Sequence, residues 1–541
     1  MTTARELADE LLAVTLDADP VTATLMGLPG RHDRLPDPSA AADRALRLRA
    51  EEIAVRARAG DDDPVTRAVV EQQAGALARK LGSNLVEHTH AEGLNAPIAL
   101  LLVALPLTRP SDERGRRDYL ARLAELPGYL EKLAARQRAS DRRPIAHLVA
   151  AAAARLDRHL AEDADPLATP LQGTGSAPAC EELLATAVRP AFARYRDFLR
   201  AEIEPRGRSE AEPGLCWLPG GGELYAGLVR SYTTTDHTPQ QLHQVGLDLI
   251  EALDREYAEI GARVFGPIPP AEVRRRLLDD PALRWRDAEE MVVLAEETIA
   301  RAEAVAGDWF GTLPAARCAV DVVPEADAPN APLAYYMDPA MDGSRPGTYF
   351  VNTHQAEQRD RFSAEATAFH EGVPGHHFQI ALAQQLTDLP LLRRFASIEA
   401  YLEGWALYTE RLADEMGLYS DDTARLGMLS GDSLRAARLV VDTGIHALGW
   451  SRQQAVDYLR AHAVMPDVDI FSEVDRYCEN PAQALSYMVG RLEIQRLRGE
   501  AERRLGDRFD IRAFHDLVLG GGPLPMAVLA DVVDAWCGSV A

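Results

Sequence analysis

The stretch RRDYLARLAELPGYLEKLAARQR, residues 116–138, sets apolar side chains three and four positions apart, at Tyr119, Leu120, Leu123, Leu126, Tyr129, Leu130 and Leu133. That spacing lines one face of an α-helix. PIAHLVAAAAARLDRHLAED at 144–163 repeats the pattern, and Ala, Leu, Arg and Glu dominate throughout residues 1–205. Clusters at Pro36 to Pro38, Gly60 to Asp63 and Pro166 to Pro178 punctuate the helices of this N-terminal region.

Working outward, residues 206–354 form a second region of mixed character. GLCWLPGGGELY at 214–225 lacks the preceding strand and the following Lys-Ser/Thr of a phosphate loop, so it reads as a turn or site loop. Helix resumes at Thr238-Pro239, an N-cap followed by proline at the first helical position. A single β signal runs from about 317 to 353: CAVDVVP, LAYYMDP and GTYFVNT, with the turn-forming AMDGSRPG before the last. Residues 355–541, a third region, return to helix. The expected fold is therefore mostly α with one small sheet.

With 541 residues the chain is long enough for a large core. Its 58 Lys+Arg against 83 Asp+Glu give a net charge of -25, which argues against nucleic acid or an acidic membrane surface as partner. Five widely spaced cysteines without a C-x-x-C suit a reducing compartment and exclude a cysteine-based zinc site. The N-terminus does not read as a signal peptide, and the most apolar run, residues 96–107, is well short of the ~20 residues that cross a bilayer. A cytoplasmic protein is expected.

The chemistry concentrates in TAFHEGVPGHHFQ, residues 367–379. H-E-x-x-H places two zinc-binding histidines one helical turn apart with a glutamate beside the first, yet Pro374 stands four residues after His370. Proline has no N–H for the His370 carbonyl and crowds it, so the helix opens there, and Gly375 gives the freedom to turn back. In an undistorted helix His376 lies about 240° round from His370, whereas His377 returns to within about 20°. A bulge absorbing Pro374-Gly375 puts His376 in place instead. Spacing leaves both open. In either case Glu371 stands where a general base for a metal-bound water is expected. A catalytic zinc also needs a third protein ligand. SIEAYLEGWALYTERLADEMGLY at 397–419 offers Glu399, Glu403 and Glu410 on one side of a helix. Glu399 and Glu410 can alternatively pair with Arg394 or Arg411. Gly404 costs that helix roughly 1 kcal/mol against alanine, which suggests a close approach.

HEGVPGHHFQ, YLEGWALYTE and DRYCENPAQALSYMVGRLEIQRLR together resemble the bacterial family named domain of unknown function 885, regarded as helical zinc peptidases related to the thermolysin-like clan. LPGGGELY, YTTTDHTPQQLHQVGLDLI and YYMDPAMDGSRPGTYFVNT fit the same family, so the resemblance covers roughly residues 215–500. It implies a metallopeptidase-like helical body with a deep central cleft and the sheet on its wall. It also implies one zinc ion on His370, His376 and Glu403, with Glu371 as base. Tyr487 is then a candidate oxyanion donor. Arg491 can hold a substrate carboxylate or pair with Glu493 or Glu479. Arg345, Tyr349 and His377 complete the substrate-facing set, and GTYFVNT is expected to offer an exposed edge to an extended peptide. The function so implied is hydrolysis of a peptide or amide bond in a short peptide or small amide substrate. The rival readings are a zinc enzyme tailoring a non-peptide amide or ester in a dedicated pathway, a non-catalytic binding protein, and, more remotely, an iron site.

Overall fold

The computed structural model describes residues 2–92, 95–325, 328, 331–340 and 345–540. The chain forms two compact units, each drawing on separated segments. The first comprises Met1–Leu228, Ile445–Ala455 and Ser472–Pro481; the second comprises Val229–Gly444, Val456–Phe471 and Ala482–Ala541.

The first unit is helical. Residues 116–138 lie within α1 (Glu113–Ala139), whose Tyr119, Leu123, Leu126, Tyr129, Leu130 and Leu133 are buried as the three-four spacing requires. They pack into one apolar cluster with Val149, Ala153 and Leu156 of α2 (Ala146–Ala161) and Ala191, Phe192 and Tyr195 of α3 (Arg189–Phe198). Full burial of such a side chain is worth about 1.5–3 kcal/mol.

The second unit holds the sequence motifs. It includes α4 (Pro239–Phe265), started by Thr238 in a capping box with Gln241, and α5 (Ala288–Trp309). Then come β1 (Ala319–Val322), β2 (Ala334–Met337) and β3 (Thr348–Val351). The strand order is β1-β3-β2, with β1 parallel and β2 antiparallel to β3. GTYFVNT is thus the central strand and not an exposed edge; both its sides are taken, and the outer strands are β1 and β2. The turn expected over AMDGSRPG falls partly on residues 341–344, which lie outside the described residues.

The remaining helices are α6 (Ala364–Glu371), α7 (His376–Gln385), α8 (Glu399–Glu415), α9 (Asp422–Ala447, in this unit as far as Gly444), α10 (Ser486–Leu505) and α11 (Ile511–Leu519). The close approach suggested by Gly404 is made by α10: a Cβ on Gly404 would lie 2.5 Å from the Gly490 Cα, and one on Gly490 would collide with the Ala400 carbonyl. Two glycines facing each other let α8 and α10 touch backbone to backbone. Beneath α8, Trp405 and Tyr408 meet Phe310 and His515 in an aromatic cluster. Among the described residues no helix is long and apolar enough to cross a membrane. All five cysteines are unpaired, and four of them are buried.

Candidate metal centre

Pro374 breaks the helix outright instead of bulging it. α6 stops at Glu371, residues 372–375 leave the helix through a cis Val373–Pro374 bond, and α7 starts afresh at His376. Gly375 has a negative φ of -79°, so its necessity is one of space. Any Cβ there would run into the His370 carbonyl. Side chains of α8 brace the break: Trp405 Nε1 donates to the Pro374 carbonyl at 3.0 Å and Thr409 Oγ1 to that of Phe369 at 3.3 Å. Glu365, buried in α6, accepts from Arg301 of α5 at 2.8 Å and from the Ser420 N–H at 2.9 Å.

These constraints bring His370, His376 and Glu403 together, one donor atom from each lying within 4.8 Å of the others. Nε2 of His370 is 3.5 Å and Nε2 of His376 3.6 Å from Glu403 Oε2. Such separations are long for hydrogen bonds. They are close to the ~3.3 Å between two ligands at 2.0–2.1 Å on a tetrahedral zinc ion. The trio therefore fits the three-ligand set of a zinc site.

Glu410 completes the geometry. It lies two turns along α8 from Glu403, is 2 % exposed, and takes the Nδ1–H of His370 at 2.8 Å. In the neutral ring that hydrogen bond fixes the tautomer and makes Nε2, on the Glu403 side, the nitrogen that bears the lone pair. Glu410 was a fallback ligand with Arg394 or Arg411 as alternative partners; its partners are His370 and, at 3.7 Å, Arg435. Burial disfavours a charged His370, but the neighbouring carboxylates of Glu403 and Glu410 outweigh it and lift the imidazole to about 9, so a metal ligating Nε2 would have to displace its proton. Burial likewise acts to raise Glu403, and the two imidazoles of His370 and His376 beside it overcome that, holding this carboxylate well below its usual range. An anionic oxygen thus faces the two histidines.

Glu371, last residue of α6, accepts a hydrogen bond from the Tyr336 backbone N–H of β2 at 3.0 Å. The sheet register explains that donor. Asn352 N–H bonds the Leu333 carbonyl at 3.0 Å, which marks 333 and 352 as a hydrogen-bonded pair. Residues 334 and 336 then turn their N–H groups away from β3, to the free edge.

Other expected site residues go elsewhere. His377 is 1 % exposed and both its ring nitrogens are engaged, by Tyr336 and the Ala316 carbonyl. Both nitrogens are thus occupied within the fold. Burial pushes the imidazole down to about 4. Arg491 is ion-paired with the fully buried Asp432 instead of Glu493 or Glu479, and Asp432 also pairs with Arg411 at 2.5 Å. Tyr349 is 4 % exposed in the central strand, and Arg345 donates to the Pro346 carbonyl at 3.4 Å. Tyr487 carries the Arg438 guanidinium over its ring, 4.7 Å from the centroid. The sequence reading missed Tyr336, Asp432 and Arg435. Nothing local marks their partners, which lie tens of residues away.

The chain matches the family model described as "Bacterial protein of unknown function (DUF885)" over residues 20–533. It belongs to that family. The DUF885 match extends through the first two hundred residues, where the sequence offered only helical character. Among solved structures, a "putative lipoprotein" from Colwellia psychrerythraea is similar over 100% of both chains at 27% identity, with a TM-score of 0.92. A "putative lipoprotein of unknown function" from Shewanella oneidensis covers 98% of this chain and 100% of its own at 18% identity and a TM-score of 0.79, a likeness of fold alone. Comparison with curated proteins finds no match.

Proposed function

We propose that this DUF885 protein is a zinc-dependent hydrolase that cleaves a peptide or amide bond in a short peptide or small amide. The observation that carries the reading is the convergence of His370, His376 and Glu403 on one point, with Glu371 on the same helix as the first histidine. Zinc at such a site supplies Lewis acidity towards a carbonyl oxygen and lowers the pKa of bound water. Glu403 and the two Nε2 atoms would hold it, and Glu410 would keep the His370 ring in its ligating tautomer. Glu371 would take a proton from the attacking water and pass it to the leaving nitrogen. The outer edge of β2, beside Glu371, would align an extended substrate through backbone groups other than the Tyr336 N–H, which Glu371 takes. Tyr487 and Arg345 are carried forward as proposed oxyanion donor and substrate contact.

The experiment is metal analysis by inductively coupled plasma mass spectrometry on the purified chain and on His376→Ala, His377→Ala and Glu403→Ala. One zinc per chain, lost with His376 or Glu403 and retained without His377, supports the reading. Short peptides and non-peptide amides are then screened with Glu371→Gln as the inactive control. Cleavage of non-peptide amides alone would favour a tailoring enzyme. Absence of metal after zinc supplementation would favour a binding protein.

A further inference from the structure

The two adjacent histidines hold different positions. His377 Nε2 lies 3.1 Å from the Ala316 carbonyl, an acceptor only, so Nε2 carries the hydrogen. Nδ1 is then an acceptor, and the Tyr336 hydroxyl donates to it at 2.9 Å. The backbone N–H of that same tyrosine holds Glu371 Oε2 at 3.0 Å. Space is tight on the other side as well: a Cβ on Gly347, beside the start of β3, would collide with the Tyr336 hydroxyl. The side chain is thus pinned by His377 and walled by β3, while the backbone points at Glu371.

We infer that His377 and Tyr336 are positioning residues for Glu371, joined in series: His377 anchors the tyrosine hydroxyl, the anchored ring fixes β2 against α6, and the outward N–H of residue 336 holds the carboxylate. This rests on the reading of Glu371 as general base. With Oε2 engaged by an amide, Oε1 is the oxygen that takes the proton. Loss of the clamp frees Glu371 to change rotamer, which weakens the chemical step without touching a metal ligand.

The test uses the full-length, zinc-loaded chain and four variants: Tyr336→Phe, His377→Leu, His377→Asn and Glu371→Ala. Asparagine keeps an acceptor near the place of Nδ1, and leucine keeps none. With a substrate from the screen above, Tyr336→Phe and His377→Leu should lower kcat by about tenfold to a hundredfold at unchanged KM and zinc content. His377→Asn should recover most of that loss, which a merely structural role would not permit. Amide hydrogen exchange across residues 333–337 should quicken about tenfold in Tyr336→Phe, in His377→Leu and in Glu371→Ala. Wild-type kcat in Tyr336→Phe and His377→Leu, or kcat falling only in step with zinc, overturns the inference. If the wild type cuts nothing, the hydrolase reading fails by itself. Exchange at Tyr336 that is indifferent to Glu371→Ala then overturns the clamp separately.

Discussion

Two sets of buried charges, one in each unit, are handled in opposite ways. In the first, two buried arginines answer to backbone oxygen: Arg122 donates to the carbonyls of Arg31 at 2.7 Å and Arg34 at 3.1 Å, and Arg208 to those of Arg143 at 2.9 Å and Gly214 at 2.7 Å, whereas the buried Arg136 pairs with Asp43 and Glu87. In the second, three buried carboxylates answer to side-chain donors: Glu410 to His370, Asp432 to Arg411 and Arg491, and Glu365 to Arg301, whereas the buried Asp442 accepts from the Ala482 N–H. A cation spread over carbonyls staples loops to helices and holds no reactive group. A carboxylate set against an imidazole or guanidinium orients that group, which is what a site requires.

The strongest way to break the comparison is to remove Asp432. Asp432→Ala leaves Arg411 and Arg491 buried without their shared anion, and the expected loss is about 3–5 kcal/mol, read as a lowered urea midpoint. Asp432→Asn keeps the shape and separates charge from packing. A loss below about 1 kcal/mol would mean that Glu256, which also pairs with Arg411 at 2.7 Å, carries the cluster.

Acid comes next, because both units bury neutral histidines. His446 in the first accepts from the Leu215 N–H and donates to the Tyr477 carbonyl; His515 in the second accepts from the Tyr408 hydroxyl and donates to the Trp309 carbonyl. Burial holds each down to about 4 against the ordinary value of 6.5. The folded pKa is thus depressed, and between these values the unfolded chain binds more protons. The stability contributed is fully present above pH 6.5 and is lost as pH falls towards 4, by up to about 3 kcal/mol for each group. His446→Gln should flatten the dependence of the urea midpoint on pH over that interval; an unchanged slope would mean that the ring is not neutral when folded.

Arg122→Met tests the scaffold side. It removes the donors to three carbonyls and to Thr24 Oγ1 while keeping most of the side-chain volume. The expected cost is about 2 kcal/mol, with zinc content unchanged. A loss of zinc from this variant would erase the distinction between the units.

How much of this was legible follows the range of each interaction. Helix periodicity is local, so α1 could be read from residues 116–138, and the cap at Thr238 from two residues. Gly404 announced a close approach because glycine in a helix has a cost, although the partner, Gly490, could not be named. The break after His370 was legible from Pro374; its form was not, since a bulge and a full break obey the same local rule. Strand order was illegible for a stronger reason: β3 becomes central only because β1 returns parallel to it, and no feature of GTYFVNT encodes its neighbours. Arg491 illustrates the limit. Local acids Glu493 and Glu479 were the natural partners, yet Glu493 pairs with Arg496 at 2.9 Å and Glu479 accepts three backbone N–H groups from residues 90–92, leaving Asp432 to the arginine.

The smallest expected effect on stability is also the sharpest test of what the second unit's carboxylates are for. Glu410 sits on the face of α8 that bears Glu403, so its burial alone would be compatible with a packing role. In the neutral ring, its hydrogen bond to His370 Nδ1 is what makes Nε2, on the Glu403 side, the ligating nitrogen. Glu410→Gln preserves an acceptor but not the charge, and Glu410→Ala preserves neither. Zinc affinity, measured by competition with a chromophoric chelator, should fall about tenfold in the first and about a hundredfold in the second, with the urea midpoint of Glu410→Gln nearly unmoved. Equal affinity in all three chains would mean that α6 packing alone orients His370. The buried carboxylates of the second unit would then be staples of the same kind as the arginines of the first.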